Sequence, residues 1–121
     1  MKIAVIGSRN ISVSNIEKYM PFNVTCIVSG GAKGIDSVAR EYAELREIPL
    51  IEYLPKYNMY GRYAPLKRNI EICENSDMVI AFWDGESRGT KFVIDYCTKH
   101  NKDIEVYIHV KDSDYMPYFT G

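Results

Sequence analysis

The residues best suited to bind a ligand form a glycine-rich segment at positions 29–36, with the sequence S-G-G-A-K-G-I-D. An apolar run precedes this segment and a helical pattern follows it, so the chain is predicted to turn there from a strand into a helix. Glycines allow the backbone to approach a ligand closely, and the first N–H groups of the helix favour an anion. The candidate phosphate-binding residues of this segment are Ser29, Gly30, Gly31, Lys33, Gly34 and Asp36.

The same segment has a structural explanation that stays open. Its glycines can serve only to relieve strain in a turn, and a carboxylate at Asp36 would stabilise the helix dipole from the first turn. If Gly34 instead admits a ligand, its replacement by valine is expected to block binding and to leave the domain folded.

Further candidates lie where other predicted strands end, because ligands of open α/β sheets bind outside the carboxyl ends of the strands. One group follows the first apolar run, and another follows the fourth run and enters a helix. A third pair precedes that fourth run, on its own predicted helix. These candidates are Gly7, Ser8, Arg9, Arg68, Asn69, Asp84, Arg88, Gly89 and Thr90.

A tyrosine-rich segment at positions 56–65 also leaves the carboxyl end of a predicted strand. It is longer than an ordinary strand-to-helix loop, and such loops often carry function. Tyr57, Tyr60 and Tyr63 could stack on a nucleobase or pack against a partner subunit, and the sequence does not separate these roles.

Apolar runs and helical patterns alternate along the chain, which predicts an α/β protein. We expect a single Rossmann-like domain over residues 1–121, a doubly wound parallel sheet of about five strands with flanking helices. Residues 112–121 are expected to form a tail. The expected strands cover 3–6, 24–28, 50–54, 78–83 and 103–110, and the expected helices cover 12–20, 35–46 and 66–75, with a last helix that begins at 89–90 and includes 92–97.

Composition excludes several classes of function. A net charge of −1 and a pI near 6.1 give no general attraction to nucleic acid, so nucleic-acid binding is not expected. The three cysteines lack C-x-x-C spacing and the two histidines stand alone, so no metal is expected. The usual dinucleotide fingerprint is missing and we expect no cofactor. The absence of an apolar leader or membrane-length run predicts a soluble, cytoplasmic protein.

With these motifs in place, the chain resembles the SLOG superfamily, which includes the "lonely guy" (LOG) phosphoribohydrolases, the DNA-processing protein DprA and small stand-alone proteins of the YspA type. The resemblance rests on G-S-R at 7–9, S-G-G-A-K-G-I-D-S-V-A at 29–39 and S-D-M-V-I-A-F-W-D-G through Gly89 and Thr90. It covers most of the chain and implies a Rossmann-like fold with a nucleotide-type ligand.

The hydrolase branch of this resemblance is incomplete. Those enzymes have a catalytic arginine at the spacing that Arg68 has from Asp77, but they place a glutamate where this chain has Val93. Valine cannot stabilise charge or activate water. Asp84, Glu86 or Asp95 could substitute for it, so enzymatic activity stays open.

Arg68 itself has two possible roles. It could contact the ligand, or it could only pair with Glu71 or Glu74 on its own helix.

The leading hypothesis is therefore a domain that binds a nucleotide or nucleotide-derived phosphate at the carboxyl edge of its sheet, in a sensing or carrier role. One alternative is a phosphoribohydrolase or related N-glycosidase acting on nucleoside monophosphates. The other is a structural subunit of an oligomer.

We predict a homodimer or a dimer of dimers, because the chain is short, has an aromatic-rich loop and tail, and closed symmetric dimers are the commonest soluble assembly. Multi-angle light scattering at micromolar concentration measures this directly. A monomer mass would contradict the prediction.

Overall fold

The computed structural model describes residues 1–112 and 114–119. Six strands and four α-helices alternate along most of this chain, with short 3₁₀ helices at Ile16–Tyr19 and Gly61–Tyr63. Within these residues no helix is long and apolar enough to cross a membrane. The strands and α-helices are β1 (Lys2–Gly7), β2 (Cys26–Ser29), α1 (Ile35–Leu45), β3 (Leu50–Glu52), α2 (Tyr57–Tyr60), α3 (Ala64–Glu74), β4 (Met78–Trp83), α4 (Arg88–Lys99), β5 (Ile104–Lys111) and β6 (Asp114–Tyr118).

All six strands form one sheet in the order β3-β2-β1-β4-β5-β6. The first five strands are parallel and β6 pairs antiparallel with β5. The direction of winding therefore reverses between β1 and β4, and ligands of open sheets bind at such a point. This confirms the predicted Rossmann-like α/β class and a mostly parallel sheet.

Strand β1 lies between two hydrophobic layers, one on each face of the sheet. Ile3 and Val5 pack on the face covered by α1, whereas Ala4 and Ile6 pack on the face covered by α3 and α4. A strand buried on both faces cannot alternate apolar and polar residues, which explains the unbroken apolar run of β1. The same reasoning holds for β4, whose residues from Val79 to Trp83 are all buried.

The chain departs from the predicted elements at three places. The helix predicted over 12–20 is only the 3₁₀ turn Ile16–Tyr19, because the buried residues Ile11, Val13 and Ile16 do not follow a helical period. Strand β3 ends at Glu52, before the predicted limit. The segment 56–65 contains α2 and a 3₁₀ turn, and α3 begins at Ala64.

The prediction of a tail over 112–121 is wrong for the described part of that segment. Asp114–Tyr118 forms the sixth strand, β6. Residues 113, 120 and 121 lie outside the described residues. A proline at an outer strand is compatible with a sheet because its missing N–H can face away from the ladder, and Pro117 lies in this edge strand.

Gly34 is needed for packing as well as for backbone conformation. Its φ is +70°, and a Cβ there would lie 2.7 Å from the carbonyl oxygen of Arg9. The expectation that Gly34→Val leaves the domain folded is therefore wrong, since the added side chain would overlap the backbone of the loop after β1.

We expect Gly34→Ala to destabilise the fold more than Gly61→Ala does. The two glycines have similar backbone angles (φ 70° and ψ −121°; φ 56° and ψ −132°), so both variants incur a similar strain of about 1–3 kcal/mol. A Cβ at Gly61 meets nothing within 4 Å, so the overlap with Arg9 adds about 1–3 kcal/mol only at Gly34. Urea unfolding of both variants measures the difference, and equal losses of stability would refute the packing role.

Candidate ligand-binding site

A cavity of about 460 Å³ lies at the carboxyl ends of β1, β2 and β4, and α3 forms one of its walls. This volume falls in the range of small-molecule sites. The predicted candidates that line it are Gly7, Ser8, Arg9, Gly30, Asp36, Arg68, Asn69, Asp84, Arg88, Gly89 and Thr90.

The structure places four other candidates outside the lining of the cavity. Ser29 is fully buried, Lys33 is exposed, and the missing side chains of Gly31 and Gly34 face Leu54 and the Arg9 backbone. The glycine-rich segment therefore contributes Gly30, Ala32 and Asp36 to the cavity, not its lysine.

Arg68 is a buried guanidinium held in one orientation by three hydrogen bonds. Its side chain projects from α3 and is only 9% exposed. Nη1 donates to the carbonyl oxygens of Gly30 (2.8 Å) and Tyr53 (3.2 Å), and Nε donates to Oδ1 of Asn69 (2.9 Å). The second terminal nitrogen, Nη2, donates to no described residue.

The hypothesis that Arg68 pairs only with a carboxylate of its own helix is wrong. Arg68 forms no ion pair in the described part of the chain. Glu74 instead contacts Tyr96 and Lys102. Burial lowers the pKa of the Arg68 guanidinium, as does the nearby charge of Arg9, whereas the Asp36 carboxylate raises it.

Gly30 is required by the approach of two charged side chains. A Cβ at this position would lie 2.6 Å from Nη1 of Arg68 and 3.0 Å from Oδ2 of Asp36. The absence of a side chain thus lets a guanidinium and a carboxylate both lie beside the backbone at the end of β2. Gly30, a candidate from sequence, lines the cavity, and the close packing of these two side chains explains why a glycine is needed there.

Asp36 lies in the first turn of α1, as predicted, but it is also a buried carboxyl group in the cavity wall. It is 8% exposed, and its Oδ2 accepts a hydrogen bond of 3.1 Å from the backbone N–H of Ala32. Burial raises the pKa of this carboxyl, although the Ala32 N–H and the charge of Arg68 lower it. The Ser29 hydroxyl lies close by, outside hydrogen-bond geometry.

Asp84 holds the turn between β4 and α4. Its Oδ1 accepts hydrogen bonds from the backbone N–H groups of Glu86 (2.9 Å) and Ser87 (2.7 Å). The backbone N–H of Asp84 donates to Oγ of Ser8, 3.2 Å away, which ties this turn to the end of β1. Burial raises the pKa of Asp84, but the hydrogen bonds from Ser87 and Glu86 outweigh it and lower the pKa below its usual value.

The first turn of α4 presents unused hydrogen-bond donors to the cavity. Thr90 is only 5% exposed and lines the cavity, yet its hydroxyl has no partner among the described residues. The backbone N–H groups of residues 88–90 are the first of the helix and lack a backbone acceptor within it. A Cβ at Gly89 would meet nothing within 4 Å, so this side of the helix faces open space.

Two more arginines border this open space. Arg9 and Arg88 both line the cavity and are exposed. Neither of them forms an ion pair with any residue that the structure describes.

Val93 lines the cavity and is fully buried, so the side chain at this position of the wall is apolar. Asp84, Glu86 and Asp95 were the candidates to substitute for a catalytic glutamate. Two of them, Glu86 and Asp95, are not part of the cavity wall. Glu86 is exposed, and Asp95 pairs with Lys91 on the surface of α4. Asp36 and Asp84 are the carboxylates of the lining.

Sequence reasoning missed several lining residues. Three of them, Pro65, Ile72 and Val93, share helix faces with candidates that were identified, since residues three, four or seven apart lie on one side of a helix. Helical periodicity could therefore have found them from Arg68, Asn69 and Thr90. The full set of missed residues is Ile6, Asn10, Ala32, Pro65, Ile72, Ser87 and Val93.

The three tyrosines of segment 56–65 are exposed and do not line the cavity. Two of them contact cations: Lys67 lies 5.8 Å from the ring centroid of Tyr60, and Arg62 lies 5.1 Å from that of Tyr63.

In residues 1–112 and 114–119, no group of three or more His, Cys, Asp or Glu side chains is placed to hold a metal ion. Comparison of the chain with protein-family models, with curated proteins and with solved structures gave no match.

We expect Asp36→Asn to stabilise the protein at neutral pH. Because the pKa of Asp36 is raised above 3.8 in the folded state, the folded protein holds this proton more tightly, and the contribution of Asp36 to stability falls as pH rises above 3.8. Asparagine has no proton to lose. The extra free energy of unfolding of the variant should therefore appear as pH rises from 3.8 through the raised pKa of Asp36, and it should vanish below pH 3.8.

Urea unfolding at acidic and neutral pH measures this difference. Asp95→Asn is the matched control, because it removes an exposed carboxylate and should change stability by less than about 1 kcal/mol. A pH-independent difference between wild type and Asp36→Asn would contradict the assignment.

Proposed function

We propose that this protein binds a nucleotide or nucleotide-derived phosphate ligand in the cavity, in a sensing or carrier role. The observation that carries the proposal is the first turn of α4, where the Thr90 hydroxyl and the first helix N–H groups have no partner among the described residues. Donors of this kind, at the positive end of a helix dipole, favour a phosphate group.

The charges around this turn support the same ligand. Arg9 and Arg88 border the cavity and form no ion pair within residues 1–112 and 114–119, so both are available to bind an anion. Asp84 also lines the cavity, but its Oδ1 already accepts two backbone N–H groups and its negative charge is partly compensated. Arginine suits phosphate because its planar group can bind two oxygens at once.

The resemblance to the SLOG superfamily adds the nucleotide part of the proposal, since that likeness implies a nucleotide-type ligand. A binding role is favoured over hydrolysis because Val93 stands at the glutamate position of the similar enzymes. Glycosidic cleavage needs a carboxylate that stabilises charge or activates water. Asp84 is committed to its turn.

A phosphoribohydrolase is the second candidate, and one observation favours it: Asp36 is a buried cavity carboxyl whose pKa is raised. Such groups are common among catalytic acids and bases. Incubation with nucleoside monophosphates and chromatography for free base separates the two candidates, since a binding protein releases none.

We also propose a cytoplasmic location and a homo-oligomeric assembly. Its three cysteines are free and buried, which suits the reducing cytoplasm. Homo-oligomerisation through the exposed tyrosines of segment 56–65 would bury a surface that also includes Leu54 and Met59.

We predict that Gly89→Asp binds adenosine 5′-monophosphate at least about tenfold more weakly than Gly89→Asn does. The two side chains have nearly the same shape, so the comparison isolates the effect of one negative charge beside the proposed phosphate. This charge should remove the free energy of a charge-assisted contact to the phosphate, about 1.5–3 kcal/mol. An aspartate near a helix N-terminus stabilises the helix by about 0.3–1 kcal/mol, so folding should not suffer.

Isothermal titration calorimetry of the wild type and both variants provides the test, with thermal unfolding as the control for folding. Equal affinities of the two variants would rule out a phosphate at the start of α4.

A further inference from the structure

Arg68 and Asp36 retain hydrogen-bonding capacity on the cavity side of the glycine-rich segment. Nη2 of Arg68 donates to no described residue, although the other nitrogens of the guanidinium are engaged. Asp36 accepts one backbone N–H at Oδ2, and no hydrogen bond at normal geometry reaches its Oδ1 from the described chain. Both side chains are more than nine-tenths buried and line the cavity.

A phosphate does not suit this end of the cavity. Arg68 would attract it, but the Asp36 carboxylate would repel it. A hydroxyl group can both donate to a carboxylate and accept from a guanidinium. Two neighbouring hydroxyl groups, one on each side chain, would satisfy both at once.

This end of the cavity is separated from the first turn of α4 by the width of β1. Gly30 follows β2 and Gly89 follows β4, and these strands lie on either side of β1 in the sheet. Two strand spacings of about 4.8 Å make a separation of roughly 10 Å. A ligand that reaches both ends must carry an anion at one end and hydroxyl groups at the other.

We infer that the cavity selects a phosphorylated sugar with a vicinal pair of hydroxyl groups, as in a ribose phosphate or ribonucleotide. In this arrangement one sugar hydroxyl donates to Oδ1 of Asp36, and its neighbour accepts from Nη2 of Arg68. The inference rests on the proposed phosphate subsite at Gly89 and Thr90, and it adds that deoxyribose compounds are rejected.

The rejection has a physical basis in the buried pair. A ligand without one of the hydroxyls still excludes water from this end of the cavity, and it leaves a buried charged group without a partner. Hydrogen bonds to charged groups are worth more than neutral ones, and an unsatisfied buried partner is costly. We therefore expect a preference of about tenfold to hundredfold for the ribose compound.

Titration calorimetry of the wild type with ribose 5-phosphate and with 2-deoxyribose 5-phosphate tests this preference. In Asp36→Asn, the preference should fall by about tenfold, because a neutral amide replaces the charged acceptor. Asp95→Asn, whose side chain lies on the surface of α4, should keep the wild-type preference.

The outcomes separate this inference from the proposed function. If both sugar phosphates bind equally well and Gly89→Asp weakens both, the phosphate subsite stands and the hydroxyl subsite is refuted. If Asp36→Asn folds, as unfolding curves will show, and keeps the full ribose preference, Asp36 is not the acceptor and the inference fails. If neither compound binds the wild type at millimolar concentration, both proposals fail.

Discussion

The buried guanidinium of Arg68 is the constraint on which the cavity depends. A charge taken out of water is costly unless it is hydrogen-bonded, and here the carbonyl groups of Gly30 and Tyr53 supply the partners. Those carbonyls belong to the chain just beyond β2 and β3, so one side chain of α3 joins the ends of two strands. A longer side chain in place of Gly30 would occupy the position of the guanidinium. The glycine and the arginine are therefore parts of one packing arrangement, although 38 residues separate them in the chain.

This arrangement gives the two ends of the cavity different electrostatic character. At the start of α4, helix N–H groups and the Thr90 hydroxyl form an end rich in donors, and the nearest carboxylate, Asp84, is engaged by its own turn. At the start of α1, the helix dipole acts on Asp36, which lies in the first turn and compensates it. Both helices begin beside the same cavity, but only α1 carries an acidic residue in its first turn. The difference arises from where each chain segment places its acidic residue.

Much of the fold could be predicted because burial leaves a local pattern. The strands β1 and β4 are buried on both faces and appear as unbroken apolar runs, and α1 shows a helical period. Prediction failed where tertiary packing decides: the irregular segment around Ile11 and Val13 covers the sheet without a helical period, and β6 is defined by pairing with β5. Eleven of the fifteen candidate residues line one cavity at the strand ends. The partners of Arg68 could not be predicted, because backbone carbonyls have no signature in the sequence.

Under the proposed function, the apolar side chains of the cavity wall favour binding of a ligand over its hydrolysis. Val93 and Ile72 close the cavity from α4 and α3, so water beside the proposed phosphate would contact side chains that cannot accept its proton. Asp36 is the buried carboxyl group of the cavity lining, and its Oδ2 accepts the Ala32 N–H beside Gly30. A carboxylate held in this way is well positioned to accept a hydrogen bond from a fixed hydroxyl. General-base catalysis would require a water molecule placed between this group and the reacting carbon, in the space that the sugar occupies under the proposed arrangement. Under the proposed arrangement, the interaction that recognises the sugar would oppose its hydrolysis.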